Sequence, residues 1–310
     1  MSTANQDQLE LFTPFLSRHM KIWICIPVFN RIEFTLKCLA TLKAQTDQNF
    51  TVVICDHGST DGTTESIKQE YPEVIVINAD SNLWWTGAIN LCVNYVLQHA
   101  ADDDYLLTLN NDNELPADYL AELFAYSNKY PHAVLASAKY DIADGKLVAE
   151  GHWLNWLTAK ANPVTFVKDH LPDDDNVIAV NHTSGRGALF PIAVFKQVGL
   201  YDEQHLPHYG ADYDFSHKAM RAGFPIYVCK TCRVLAHVEA NGMTAVRNKF
   251  SLTSFINYFF SIRSPANLQA RWWYGWNNCP KALFPSYIFL DVLRTVGSYF
   301  KHFLLAKPSA

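Results

Sequence analysis

Residues 22–63 read IWICIPVFNRIEFTLKCLATLKAQTDQNFTVVICDHGSTDGT. An apolar run, Ile22 to Pro27, stops at a proline; Ile32 to Ala44 then spaces its apolar residues as a helix does. Phe50 to Cys55 is a second apolar run, closed by the turn Asp56 to Gly62. Short apolar runs without a polar face, alternating with helical periodicity, predict parallel strands covered on both sides by their crossover helices. The alternation continues with a helix over Thr63–Glu70, a strand over Val74–Ile77, a helix over Thr86–His99 and a strand over Tyr105–Leu109. The chain therefore opens with an α/β domain. In such sheets ligands collect beyond the carboxyl ends of the strands. Polar residues stand there: Asn30 after the first strand, Asp56 after the second, Asn110 to Glu114 after the fourth.

Further on the pattern changes twice. Ala138 to His182 is rich in Trp and Asp with irregular spacing, which predicts strands and loops laid across the domain. From Pro191 regular structure returns: a short helix, a loop through His208, a helix from about Asp212 to Ala222 that ends at Gly223, and strands over Pro225–Cys229 and Arg233–His237. After Thr244 the text becomes aromatic and basic, with eight Lys or Arg against the single acid Asp291. Such a segment predicts helices that either lie on an anionic membrane surface or pack on the body or at a dimer interface. The division read from this is an N-terminal extension (1–20), a catalytic domain (21–244, with halves 21–115 and 116–244) and a mainly helical C-terminal region (245–310).

A net charge of −5 excludes nucleic acid as the main ligand, since polyanion binders carry a basic excess. Seven dispersed cysteines suit a reducing cytoplasm better than a disulfide framework. Cys229 and Cys232 lack the second pair that a zinc ribbon needs, and on one strand they would face opposite sides. Residues 1–20 show no apolar targeting core, and Ala282 to Ala306 is interrupted by Pro285, Asp291, Arg294 and Lys301, so no spanning helix is expected.

Candidate chemistry sits at the strand ends and at the late helix. Asp56, between tight turns at Gly58 and Gly62, can accept a hydrogen bond from the N3 proton of a pyrimidine; its plainer reading is an Asx turn. Asp61 reads as a helix cap. Asp112, after an apolar strand, stands where one side-chain oxygen could hold a hard cation, with Asn110 or Asn113 assisting; its plainer reading is a polar loop. Asp212 and Asp214 begin a helix, where acids also serve as ordinary caps. His237 follows the last strand and could offer a neutral imidazole to the same cation.

Taken in order, IPVFNR, VVICDHGSTDGT, NLWWTGAIN, LTLNNDNEL, SGRGALFP with VFKQVGLYDE, GADYDFSHKAMRAGF and HVEANGMT resemble the inverting family 2 glycosyltransferases of GT-A fold, in particular the bacterial rhamnosyltransferase-like group. The resemblance spans about Lys21 to Thr244. It implies a Rossmann-like mixed sheet flanked by helices and transfer of a sugar from a UDP- or dTDP-linked donor to a hydroxyl of a glycan or lipid-linked glycan, in bacterial surface polysaccharide or lipopolysaccharide synthesis. It also implies Mn2+ or Mg2+ as cofactor, and a cytoplasmic enzyme, peripheral on the inner membrane if the C-terminal region binds lipid. By position, Asp212 matches the catalytic base. Asp112 and His237 match metal ligands. Pro27, Asn30, Asp56, Asn82, Trp85, Gly87, Asn90, Asn110 and Asn111 match the donor side, and Asp214 and Arg186 the acceptor side. Three residues depart from the pattern: Ala211 where a Glu usually precedes the base, Asn110 in place of an acid, and Trp84–Trp85 where small residues are common. Rival readings are a nucleotidyltransferase of related fold, whose Gly-rich phosphate loop IPVFNR lacks, and a non-catalytic sugar-binding protein.

Overall fold

The computed structural model describes residues 20–237 and 252–305, the last four of these as backbone only. The N-terminal extension and the boundary expected near Thr244 lie outside the described residues. The chain runs β1 (Ile22–Val28), α1 (Ile32–Lys43), β2 (Phe50–Asp56), α2 (Thr63–Glu70), β3 (Ile75–Asn78), α3 (Trp84–His99) and β4 (Tyr105–Thr108), as the alternation predicted. There follow β5 (Asn113–Glu114), α4 (Tyr119–Lys129), β6 (Val134–Asp141), β7 (Leu147–Ala149), β8 (Gly151–Asn155), β9 (Lys160–Val164), β10 (His170–Leu171), β11 (Asp174–Val180) and β12 (Ala188–Pro191). The remainder is α5 (Ile192–Val198), α6 (Ala211–Arg221), β13 (Ile226–Ala236), α7 (Leu252–Phe260), α8 (Leu268–Asn278) and α9 (Phe284–Leu305).

Among the described residues one mixed sheet has the order β10-β11-β13-β6-β12-β4-β1-β2-β3, with β5 added to β13 and β7 to β6. β1 pairs in parallel with both β2 and β4, whereas β12 runs antiparallel to both β4 and β6. Every residue of β1 is buried, and its side chains alternate between two cores. Ile22, Ile24, Ile26 and Val28 pack with Leu39 and Leu42 of α1, Ile67 of α2 and Leu120 and Leu123 of α4. Trp23 and Cys25 pack with Ala88, Ile89 and Val93 of α3 and with Phe215 of α6. This two-sided burial is why the strand reads as an unbroken apolar run.

The two late strands expected from the sequence are one strand, β13, whose register with β6 shifts between Cys229 and Arg233. A bulge adds a residue to one strand and so overrides strict alternation. Cys229 and Cys232 therefore enter the same core instead of facing opposite sides, and both are free thiols.

The C-terminal region packs on the body along its inner face. Cys279, Phe284 and Tyr287 build a third core with Leu154 and Ala159 of the β8–β9 hairpin. Arg271 Nη1 lies 2.8 Å from both carboxylate oxygens of Asp291, tying α8 to α9. The outer face keeps Trp272, Trp276, Phe289, Leu293 and Phe300 exposed. Among the described residues no helix is long and apolar enough to cross a membrane.

Candidate active site

Because β2, β1 and β4 are adjacent and parallel, their carboxyl ends bring three loops to one edge of the sheet. After β1, Asn30 and Arg31 both adopt left-handed backbone conformations. The Asn30 N–H donates to Ser59 Oγ at 2.7 Å and its Oδ1 accepts the Thr60 N–H at 2.9 Å, latching the first loop to the second. Asp56 is buried, with Oδ1 accepting the Ser59 N–H at 2.8 Å and Oδ2 accepting the Thr64 hydroxyl. It thus ties down the 56–59 turn at the carboxyl end of β2, though through the N–H three residues on and not the two of an Asx turn. Asp61 is expected to cap α2, but the N-cap is Gly62; Asp61 instead bridges the two helix starts, Oδ2 accepting the Ile32 N–H at 3.0 Å and Oδ1 the Thr63 N–H at 3.3 Å. Pro27 is buried on β1 opposite Cys55 and supports this edge from beneath.

The loop after β4 carries the acid expected to hold a cation. Asp112 is buried; among the described residues Oδ1 has no hydrogen-bond partner, and Oδ2 lies 3.5 Å from Arg186 Nη2 and 4.0 Å from Arg31 Nη1. A buried carboxylate oxygen without a donor is an unmet electrostatic demand that a hard cation would satisfy. His237, implied as the second ligand, lies beside Asp112. Its backbone N–H reaches the Asp112 carbonyl at 3.4 Å, its Nε2 lies 3.0 Å from Glu114 Oε1 and the ring stands edge-on to Phe34. The β5–β13 pairing sets Glu114 opposite Leu235 and so beside the imidazole. No group of three His, Cys, Asp or Glu is arranged to hold a metal among the described residues.

The catalytic candidate is reached from Asp112 through two consecutive residues. Asp212, in the first turn of α6, accepts the Gly185 N–H on Oδ2 at 3.0 Å and the Tyr213 N–H on Oδ1 at 2.9 Å. The next residue, Arg186, is the one whose guanidinium faces Asp112. Trp85 closes the same corner: its indole N–H donates to Asn110 Oδ1 at 3.1 Å, and its ring lies against Gly185, where a Cβ would come within 2.8 Å of Cζ2. Burial pushes the Asp212 carboxyl above the ordinary range, against the pull of the two N–H groups and of Lys139. An acid so placed holds its proton more readily than a solvated aspartate, as a general base must.

Other expected residues stand elsewhere. Asp214 is not on an acceptor surface: it is fully buried, Oδ1 accepts from Asn277 at 3.0 Å and Asn278 at 2.7 Å, and Oδ2 pairs with Lys218 at 2.5 Å. Lying two residues beyond Asp212 on a helix, it points to a different side, toward α8. Asn90 is likewise taken by the protein, with Nδ2 on the Tyr201 carbonyl and Glu203 Oε2, and Oδ1 on the Tyr201 N–H. It brackets α3 to the 201–203 loop instead of offering an edge to a donor. Gly87 lets Leu83 close down on the helix, where a Cβ would meet it at 3.0 Å. Asn111 donates to Thr35 Oγ1 at 3.0 Å, and Asn82 is exposed beside Asp80.

Several contributors carried no signal in the text. Arg263, from the C-terminal region, lies 5.6 Å over the Trp84 ring, and Trp84 in turn stands 5.6 Å from His208. Burial lowers the His208 imidazole to about 4, with His57 and Arg263 adding to the effect. These partners come from distant segments, so no local spacing could show them. Lys139 was equally silent: it is where β6 passes from its buried first five residues to a half-buried end.

The model of the family described as glycosyl transferase family 2 matches residues 23–190, more than half of the chain. N-acetylglucosaminyl-diphospho-decaprenol L-rhamnosyltransferase of Mycobacterium tuberculosis is 24% identical over 216 residues, covering 64% of this chain and 70% of that protein. Poly(ribitol-phosphate) beta-glucosyltransferase of Bacillus spizizenii is 26% identical over 193 residues, covering 60% of this chain and 27% of its own length. Among solved structures, GalNAc-T7 with UDP, GalNAc and Mn2+ superposes with a TM-score of 0.61 at 14% identity, over 94% of this chain and 59% of that one. Staphylococcus aureus TarS 1-349 in complex with UDP superposes with a TM-score of 0.55 at 14% identity, over 93% of this chain and 76% of the other. The chain thus spans only about a quarter to three quarters of the length of these relatives. At such identities the structures speak for the fold alone.

Proposed function

The chain belongs to glycosyl transferase family 2, a glycosyltransferase on the GT-A fold, and on that footing we propose that it transfers a sugar with inversion from a pyrimidine-diphosphate donor, UDP- or dTDP-linked, to a glycan hydroxyl. The observation that carries this reading is the run of contacts from Asp212 through Gly185 and Arg186 to Asp112, which sets a raised-pKa carboxylate beside a cationic pocket at the sheet edge. The donor lies across the ends of β1, β2 and β4, its base toward Asp56 and its diphosphate toward Arg31 and Arg186. Both guanidiniums offset the charge that grows on the leaving diphosphate, which is worth most in a partly dry site. Asp212 takes the proton from the acceptor hydroxyl as that oxygen attacks the anomeric carbon from the face opposite the diphosphate. Holding the two reactants in line supplies much of the acceleration.

The unpartnered Oδ1 of Asp112 fits Mn2+ or Mg2+ held by this carboxylate together with donor oxygens and water. A bound cation there would supply Lewis-acid stabilisation of the leaving group. Both GalNAc-T7 and the Pyrobaculum calidifontis mannosyltransferase PcManGT were solved with Mn2+. The acceptor is a growing bacterial surface glycan, lipid-linked, as the names of the mycobacterial and Bacillus relatives suggest. The exposed aromatic face of α8 and α9, edged by Lys281 and Lys301, would rest on the cytoplasmic face of the membrane carrying it. Co-sedimentation with anionic vesicles should fall when Trp272, Trp276 and Phe289 are replaced by Ser; unchanged binding removes the membrane part of the proposal.

The deciding experiment is a panel of nucleotide sugars with Mn2+ or Mg2+. Transfer or slow donor hydrolysis should appear with one pyrimidine donor and vanish with chelator. Asp212→Asn should lower the rate about 100-fold to 10,000-fold while calorimetry shows nearly unchanged affinity for the nucleotide. Wild-type turnover by that variant would remove Asp212 from its role.

A further inference from the structure

A cavity next to Asp212 in the chain is lined in part by Lys139, Glu150, His152, His182, Ser184 and Tyr213. β6 supplies Lys139, β8 and the residue before it supply His152 and Glu150, and the segment after β11 supplies His182 and Ser184. Tyr213 is the neighbour of Asp212 on α6, and Ser184 precedes the Gly185 that holds Asp212.

The cavity holds one ammonium and one carboxylate, Lys139 and Glu150, which do not pair with each other. Lys139 donates to the neutral hydroxyl of Ser184, and among the described residues no ion pair joins it to a carboxylate. Burial pushes the Lys139 ammonium down to about 8, with Asp212 acting against that and Arg186 with it. Glu150, the acid of the lining, has Oε2 engaged by the Phe166 N–H at 2.8 Å. A partly dry ammonium of this kind gains most from a bound anion.

The imidazole of His182 adds a second recognition element. Asn181 donates through Nδ2 to the Leu154 carbonyl at 2.8 Å and accepts the Leu154 N–H on Oδ1 at 2.9 Å, which settles the orientation of its amide. His182 Nδ1, 2.8 Å from that same Oδ1, must therefore be the N–H donor. Nε2 of the neutral ring is left as an acceptor. Burial holds the ring neutral, lowering it to about 3, with His217, His152 and Lys139 adding to the effect. The cavity so offers an ammonium for an anionic group and a lone pair for a hydroxyl.

We propose that this cavity is the acceptor subsite and that it takes an acidic sugar, whose carboxylate or phosphate binds Lys139 while a hydroxyl donates to His182 Nε2. The inference rests on Asp212 being the base, since the cavity is an acceptor site only if the proton is removed beside it.

The test is ligand-observed NMR titration of the full chain with glucose, glucuronic acid and glucose 6-phosphate. At least one of the two anions should bind about tenfold or more tightly than glucose, as a charge-assisted hydrogen bond gives. The better of the two then identifies carboxylate or phosphate as the group. Lys139→Met should level the three probes, and Lys139→Arg should keep the preference; circular dichroism checks that both variants fold. Equal binding of charged and neutral probes in the wild type, no binding of any, or a preference that survives Lys139→Met overturns the proposal. Asp212→Asn should lose transfer and keep the anion preference. If the wild type turns over no nucleotide sugar yet prefers the anion, the functional reading fails and the anion site stands.

Discussion

Asp212 and Asp214 stand two positions apart on α6, and their surroundings give them different chemistry. Asp212 accepts two backbone N–H groups beside Lys139 and Arg186, whereas Asp214 is enclosed by Asn277, Asn278 and Lys218. Because burial raises the Asp212 carboxyl, the base proposed there would be protonated, and idle, up to a higher pH than an ordinary aspartate. The acid limb of kcat/KM should therefore lie above about 4, the value of a free aspartate, with activity falling as pH is lowered through it. A limb at or below that value would contradict the assignment. Gly185 makes a second prediction at this scale. A Cβ there would meet the Trp85 ring at 2.8 Å and 2.9 Å, so Gly185→Ala must push aside the indole that bonds Asn110. Overpacking of this kind costs about 1–3 kcal/mol, readable by urea denaturation, and nucleotide affinity should weaken with it.

At the scale of elements, α6 is the hinge between catalytic edge and C-terminal region. One end presents Asp212 to the cleft; the face behind it binds α8 through Asp214, through Tyr274 on His217 at 3.1 Å, and through Arg221 on the Asn277 carbonyl at 2.8 Å. Asp214→Ala would take one acceptor from the Lys218 ammonium and from the Asn277 and Asn278 amides, which keep Asp202 and the Tyr274 carbonyl, a loss of about 2–3 kcal/mol. Urea midpoints check that figure. The rate per folded molecule should stay near wild type, since no substrate reaches Asp214. A loss of rate as deep as that of Asp212→Asn at full stability would return Asp214 to the acceptor site. The sequence was a good guide to element type and a poor one to element ends. Thr86–His99 begins at Trp84, and the two strands around Cys229 and Cys232 are joined by a bulge that local alternation does not encode.

Across the whole molecule, buried neutral histidines set the pH response of stability. Burial lowers His182 to about 3, and His208 and His217 to about 4, from an ordinary value of 6.5. Between 6.5 and those values the unfolded chain takes up protons that the folded chain refuses, so stability is lost as pH falls through the window. His217, 1% exposed, alone contributes about 1 kcal/mol per pH unit there. Asp212, with its carboxyl raised, acts in the opposite direction. Urea midpoints should be lower at pH 5.5 than at 7.5; equal midpoints would show that these rings are solvated.

Chain order alone established that an α/β sheet would place Asn30, Asp56 and Asp112 at one edge, because apolar runs buried on both faces admit few other arrangements and their carboxyl ends are where loops open. It offered Asp212 as a base only by resemblance, and local pattern did not separate it from Asp214, since both are acids in the first turn of a helix. Packing made that separation, by turning one toward Gly185 and the other into α8. Packing likewise drew His237 to Glu114, gave Asn90 to the 201–203 loop and set Lys139 beside Ser184. Contacts of this kind join residues dozens of positions apart, and their geometry exists only once the sheet has ordered its strands.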